Sequence, residues 1–287
     1  MLLLLLVVIL QWFGGVPAEM AMGSEPVQAV SQPRMLLAAA RPARRAALPP
    51  IQGPRGSGRP LVVIDAGHGG HDPGSLSADG ARREKDAALA IARAIRDALL
   101  ESGRVRVALT RDDDRFLILG ERREIARRLN ADLFISVHAD SAPNASARGA
   151  TIYTLSDVAS DRVAAQLAAK ENKADILNGV DLGQENNDVS SILIDLAQRE
   201  TMNVSSIFAS LLQREMSPMI AFRTTFHKFA GLIVLKAPDV PSVLLETGYM
   251  SNDDDLKLLF SKDYQKKIAT GVRRAVEAHF ARRLANL

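Results

Sequence analysis

The stretch Leu61-Val62-Val63-Ile64-Asp65-Ala66-Gly67-His68-Gly69-Gly70-His71-Asp72-Pro73-Gly74 decides how the rest of the chain is read. An apolar run ending in an acid reads as a buried strand, and the glycines after it as a tight loop carrying His68. In open α/β sheets such a loop lies beyond the C-terminal end of its strand, where active sites gather.

Working outward, Lys85–Leu100 has helical periodicity, with Ala88, Ile91, Ile95 and Leu99 on one face. Val105–Leu109 reads as a strand and Leu117–Leu129 as a helix closed by Asn130. Leu133–Val137 is a strand ending at His138, and Ala150–Leu155 is another. This alternation predicts an α/β fold, a twisted and mostly parallel sheet with helices on both faces. From residue 156 to 216 the pattern is helical only, over Asp157–Lys173 and Val189–Met216, with a polar loop at 179–188. That stretch reads as a helical insertion between strands. Its second half carries the apolar stripe Ile192, Leu193, Leu196, Ile207, Leu211 and Leu212, a pattern more usual of core than of a docking surface. Strands resume at Gly231–Leu235 and Val243–Glu246, and the last helix, Asp263–Arg283, turns Ile268, Val272, Ala275 and Val276 inward.

Upstream, residues 2–13 are almost wholly apolar, too short for a bilayer span of roughly 20 residues but suited to the core of a signal peptide over residues 1–18. Val16-Pro17-Ala18 places small residues where cleavage would occur, although no Lys or Arg precedes the apolar run. Residues 19–58, rich in Pro, Ala and Arg, read as a disordered linker, leaving 59–287 as the folded domain. The formal net charge of +3 comes from the tail, where six arginines face two glutamates before residue 61. A basic pI of that origin does not point to nucleic acid. The chain has no cysteine, which excludes disulfides, thiolate ligands and a cysteine nucleophile.

Of five histidines, His68 and His138 follow the ends of predicted parallel strands, as Glu246 does in Pro241-Ser242-Val243-Leu244-Leu245-Glu246-Thr247-Gly248. Two imidazoles and a carboxylate meeting at one rim suit a catalytic zinc, which takes three N/O ligands and keeps a position open. Glu84, at the start of the Lys85 helix, could swing back toward His68, or it could be a first-turn acid favoured by the helix dipole. His227 and His279 read as structural. Arg111 and Arg115 in Leu109-Thr110-Arg111-Asp112-Asp113-Asp114-Arg115-Phe116 could pair with acids or contact an anionic ligand, and a salt bridge is the favoured reading for each.

Taken together, DAGHGGHDPG, Arg83-Glu84-Lys85-Asp86, LTRDDDRF, ADLFISVHAD and PSVLLETGYMSN resemble the zinc-dependent N-acetylmuramoyl-L-alanine amidases of bacterial cell-wall metabolism. The resemblance runs from about Leu61 to the last helix. It implies one zinc ion on His68, Glu84 and His138, with Glu246 as catalytic base, and leaves His71 as a variable, non-ligating position. The implied reaction is hydrolysis of the amide between N-acetylmuramic acid and L-alanine in peptidoglycan, in the periplasm, for wall remodelling and daughter-cell separation. Ala169-Lys170-Glu171-Asn172-Lys173-Ala174-Asp175 resembles the blocking helix of division-associated, autoinhibited members. By that likeness Glu171 is the inhibitory metal ligand, with Glu185 and Glu200 as alternatives, and an activator protein docks on the insertion. A membrane span and a nucleic-acid partner are not expected. Two rival readings are a zinc exopeptidase of related fold and an inactive wall-binding homologue.

Overall fold

A computed structural model of the protein describes residues 47–56, 58–175 and 191–285. The expected signal peptide, most of the linker, the polar loop 179–188 and Glu185 lie outside the described residues. Among the described residues no helix is long and apolar enough to cross a membrane.

Along the folded unit the elements are β1 (Leu61–Ala66), α1 (Glu84–Ser102), β2 (Arg106–Leu109), α2 (Leu119–Arg128), β3 (Leu133–His138), β4 (Ala150–Leu155), α3 (Arg162–Glu171), α4 (Ser191–Met216), β5 (Phe222–Ala230), β6 (Ser242–Glu246), α5 (Asp253–Leu259) and α6 (Lys262–Ala285). The strands form one sheet in the order β2-β1-β3-β6-β4-β5. The first four of these run parallel. β4 turns antiparallel to β6, with Thr151 opposite Glu246, and β5 runs parallel to β4. The α/β, mostly parallel expectation holds.

Alternation along β1 sorts the core into two layers. Val62 and Ile64 face α1, α4 and α6, whereas Leu61 and Val63 face α2, α3 and the turn near Leu235. β1 and β3 are buried along their whole length, which is why they appear in the sequence as mostly apolar runs, interrupted by Asp65 in β1 and by Ser136 and His138 in β3.

Three expectations need correction. Gly231–Leu235 is not a strand: Ile233–Leu235 forms a 3-10 turn that buries Val234 and Leu235, and the strand is the preceding Phe222–Ala230. At the sheet edge β5 mixes Arg223, Thr224, Thr225, His227 and Lys228 with its phenylalanines, so it lacks the apolar run that marks inner strands. The linker reading extends too far, because Gln52 exchanges two backbone hydrogen bonds with Val107 on the edge strand β2. A single paired residue between prolines and a glycine leaves no periodicity to read. Finally, the stretch 156–216 is not uniform. Phe208, Ala209, Leu211, Leu212 and Met216 of α4 are core, while α3 lies on the other side of the sheet.

Candidate metal centre

The registers deliver the site. β3 and β6 pair with His138 opposite Glu246, and β1 pairs with β3 so that Ala66 lies opposite Val137. Hence the loop after β1 opens beside the end of β3. His68 adopts φ 59°, a left-handed conformation uncommon for residues other than glycine. Gly67 and Gly74 leave the room this needs. A Cβ on Gly67 would fall on the His138 ring, and one on Gly74 would lie 2.7 Å from both Glu84 Oε2 and His68 Cδ2.

Glu84 is the first residue of α1 and entirely buried. Its Oε1 lies 3.2 Å from His68 Nε2 and 3.2 Å from His138 Nδ1. Backbone amides of Ser75 and Ala139 donate to its two oxygens, at 2.8 and 3.0 Å. Glu171, at the end of α3, brings Oε2 to 3.5 Å from His68 Nε2 and 3.3 Å from His138 Nδ1. His68, His138 and Glu171 thus offer ligand atoms within 4.8 Å of one another. Glu246 lies beside this group, its Oε2 accepting from the Asp140 amide at 2.9 Å. Glu200 is exposed and lines a groove with Asp132 and Asp239, which precede β3 and β6, so it belongs to the opposite rim. His71 is exposed and stacks near Phe116, and His227 bonds Thr154 on β4. His279 packs against Phe208 and Phe280.

The residues fit a divalent cation. His68 Nδ1 lies 2.8 Å from Asp72 Oδ2, the carboxylate–imidazole contact that fixes the tautomer of a metal-binding histidine. Three buried atoms of these residues have no hydrogen-bond partner among the described residues: His68 Nε2, Glu171 Oε1 and Glu246 Oε1. Charge points the same way. Burial disfavours a charged His68, yet Glu84, Glu171 and Asp72 outweigh it and hold its pKa well above the usual value. Burial raises Glu84 in turn, and the two histidines override it and hold the carboxyl well below its ordinary range. Glu246 is pushed well up by burial and by the carboxylates of Asp140, Glu84 and Glu171. Such a buried anionic cluster calls for positive charge at its centre, which a divalent metal supplies.

Sequence reasoning missed the residues beneath the site. Asp65 is buried between Arg122 Nη1 at 3.0 Å, Thr110 Oγ1 at 2.6 Å and Ser136 Oγ at 2.7 Å. Arg122 also donates to the carbonyls of Ala66 and His68. Among the described residues Arg111 makes no salt bridge of the kind expected. It is buried and donates to the carbonyls of Ala66, Gly67, Lys85 and Asp113, and burial with the neighbouring Arg122 lowers its pKa to about 10. Arg115 does pair with Asp113, at 2.9 Å. An acid at the end of an apolar strand was the one visible signal, since Asp65 on a core face demands a buried cation.

A family model described as Amidase_3, N-acetylmuramoyl-L-alanine amidase, matches residues 62–278. The N-acetylmuramoyl-L-alanine amidase AmiA of Escherichia coli is 36% identical over 227 residues, 79% of this chain and 78% of that protein. Among solved structures, the amidase AmiC2 of Nostoc punctiforme is 29% identical with a TM-score of 0.56, covering 79% of this chain and 99% of that one. The CwlD amidase from Clostridioides difficile, solved in complex with the GerS lipoprotein, is 25% identical with a TM-score of 0.55, covering 78% and 99%. With its motifs on one rim of the sheet and this match across most of its length, the chain belongs to the Amidase_3 family of N-acetylmuramoyl-L-alanine amidases.

Proposed function

We propose that the protein hydrolyses the amide bond between N-acetylmuramic acid and L-alanine in peptidoglycan, using one zinc ion, and that α3 holds the enzyme inactive. The observation that carries this reading is the meeting of His68, Glu84 and His138 beside Glu246, with Glu171 closing the group. An all-N/O donor set of two imidazoles and a carboxylate suits a catalytic zinc. A zinc held there would supply a Lewis acid for the scissile carbonyl and lower the pKa of a water molecule toward neutrality.

Glu246 is the general base. Its Oε2 is tied to the Asp140 amide, which leaves Oε1 to take the proton of the attacking water and pass it to the leaving nitrogen. Glu171 is the inhibitory ligand. It is only 3% exposed and faces both histidines, so its carboxylate occupies the place a substrate carbonyl needs. The layout that goes with this role is a signal peptide over 1–18, a linker within 19–58, and a catalytic domain from 59 to 287 in which part of 156–216 is regulatory. The location is periplasmic, the task is wall remodelling at daughter-cell separation, and release comes from an activator protein docking near α3 and α4. The lipoprotein complex of CwlD gives a precedent for a partner on this fold.

Metal analysis and product analysis on the purified full chain test the reading. The wild type should carry about one zinc, and Glu246→Ala should keep it while losing about 10²–10⁴-fold in turnover. Products should be intact stem peptides and glycan; release of single amino acids would instead support an exopeptidase. Near-normal activity of Glu246→Ala would sink its role as base.

A further inference from the structure

Glu171 is not the only side chain that α3 sends into the site. Its neighbour Lys170, with its side chain 45% exposed, reaches in from the surface, where Nζ donates to Ser75 Oγ at 2.6 Å and pairs with the Asp140 carboxylate. Ser75 Oγ itself donates to Asp140 Oδ1 at 2.8 Å, so the two residues form one preset acceptor. Both are buried, and both are joined by their backbones to the reacting groups. The Ser75 amide holds Glu84, and the Asp140 amide holds Glu246. A carboxylate facing the metal-site histidines and an ammonium facing Asp140, on adjacent residues, reproduce the charges that amide hydrolysis leaves behind. The acyl fragment departs as a carboxylate and the amine fragment as an ammonium.

Resting on the reading above, we propose that Lys170 and Glu171 together imitate the product pair, and that Asp140 with Ser75 is the subsite for the leaving amine of the stem peptide. In the reaction, water adds to the carbonyl carbon, a C–O bond forms and the C–N bond breaks. Glu246 carries one water proton to the nitrogen, and the second proton, lost by the new carboxylic acid, completes the ammonium. Atoms and charge balance, since amide plus water gives carboxylate plus ammonium. As its positive charge grows, the nitrogen meets the carboxylate that Lys170 engages in the blocked form. Asp140 therefore binds the amine end of the product and favours its departure, and α3 blocks the enzyme by filling both product positions.

The test uses the full chain with both mimicking groups removed, Lys170→Met/Glu171→Ala, loaded with zinc. Calorimetry compares L-alanyl-D-glutamate with its N-acetylated analogue, which has no ammonium. The free amine should bind at least about tenfold more tightly than the acetylated peptide, and adding Asp140→Asn should abolish the difference. Ser75→Ala, which keeps the backbone amide on Glu84, should reduce it by about threefold and covers the case in which Asp140→Asn disturbs the fold. Equal binding of the two peptides, binding of neither, or a preference that survives both substitutions overturns the subsite. Basal hydrolysis of peptidoglycan by the same double variant reads the blocking role separately. A rise in activity without amine preference removes the subsite alone, whereas amine preference without a rise removes the blocking role alone.

Discussion

The two helices of the stretch 156–216 are held in opposite ways. α4 inserts Phe208, Leu211, Leu212 and Met216 into the layer shared with α1 and α6, each apolar side chain contributing about 1.5–3 kcal/mol by its burial. α3 buries mainly alanines and Leu167. Its end and the turn after it are tied by polar contacts instead: Lys170 to Asp140, Glu171 to the histidines, Asn172 to Gly231 O and the Ile233 amide, and Asp175 to the Leu119 amide. Asp175 thereby caps α2, whose own N-cap residue, Ile118, has no side-chain acceptor. Hydrogen bonds contribute about 1 kcal/mol net each and exchange readily with water, whereas core packing has no such substitute. One helix is scaffold; the other is fastened in a way that a partner could undo.

Substitutions can break or sharpen this contrast, beginning with the largest effect. Phe208→Ala should cost about 3–5 kcal/mol in chemical denaturation, as expected for a cavity in a shared core. A cost below about 1 kcal/mol would mean that α4 is as loosely held as α3.

Asp65→Asn should cost about 3–5 kcal/mol, because it leaves Arg122 buried without its counter-charge. Burial raises the Asp65 carboxyl, but Arg122, Thr110 and Ser136 hold it below its ordinary range. Its stabilisation is therefore complete above the unfolded pKa of about 4 and is lost as pH falls through the lower folded value. Melting temperatures of wild type and Asp65→Asn should converge below that window. A gap that stays constant with pH would argue against the pair as its source.

Glu171→Ala should raise basal peptidoglycan hydrolysis at least about tenfold, or about 1.4 kcal/mol, with little change in Tm. The cost to stability is small because burial and the nearby Glu84 and Asp140 already oppose the Glu171 charge, although the histidines favour it. Unchanged activity in a folded, zinc-loaded variant would count against blocking.

The smallest effect on activity is expected for Asn172→Ala, which should also cost about 1–2 kcal/mol of stability from two lost hydrogen bonds. Basal hydrolysis should rise with it, by less than for Glu171→Ala. Lost stability without any rise in activity would make Asn172 part of the scaffold.

Part of the candidate site was legible because inner strands of a parallel sheet are mostly apolar, so a polar residue at or just after the strand end marks the rim. His68, His138 and Glu246 are found that way. Glu84 was not: a first-turn acid and a ligand look identical until the loop before it is folded. β5 escaped because an edge strand may be polar, and Leu232–Leu235 misled because a buried turn is as apolar as a strand. Arg111 and Arg122 look like surface charges in a sequence, and only the carbonyls clustered under the His68 loop explain their burial.

By itself the sequence determined the α/β class, the positions of His68, His138 and Glu246 at or just beyond strand ends, and the apolar face of α1, since periodicity and strand ends are local properties. Tertiary structure decided the reversed direction of β4 and β5, the placement of α3 and α4 on opposite faces of the sheet, and the convergence of Glu84 and Glu171 on the histidines. Each of these depends on contacts between residues distant along the chain, and their energies arise only once those residues share one dry rim.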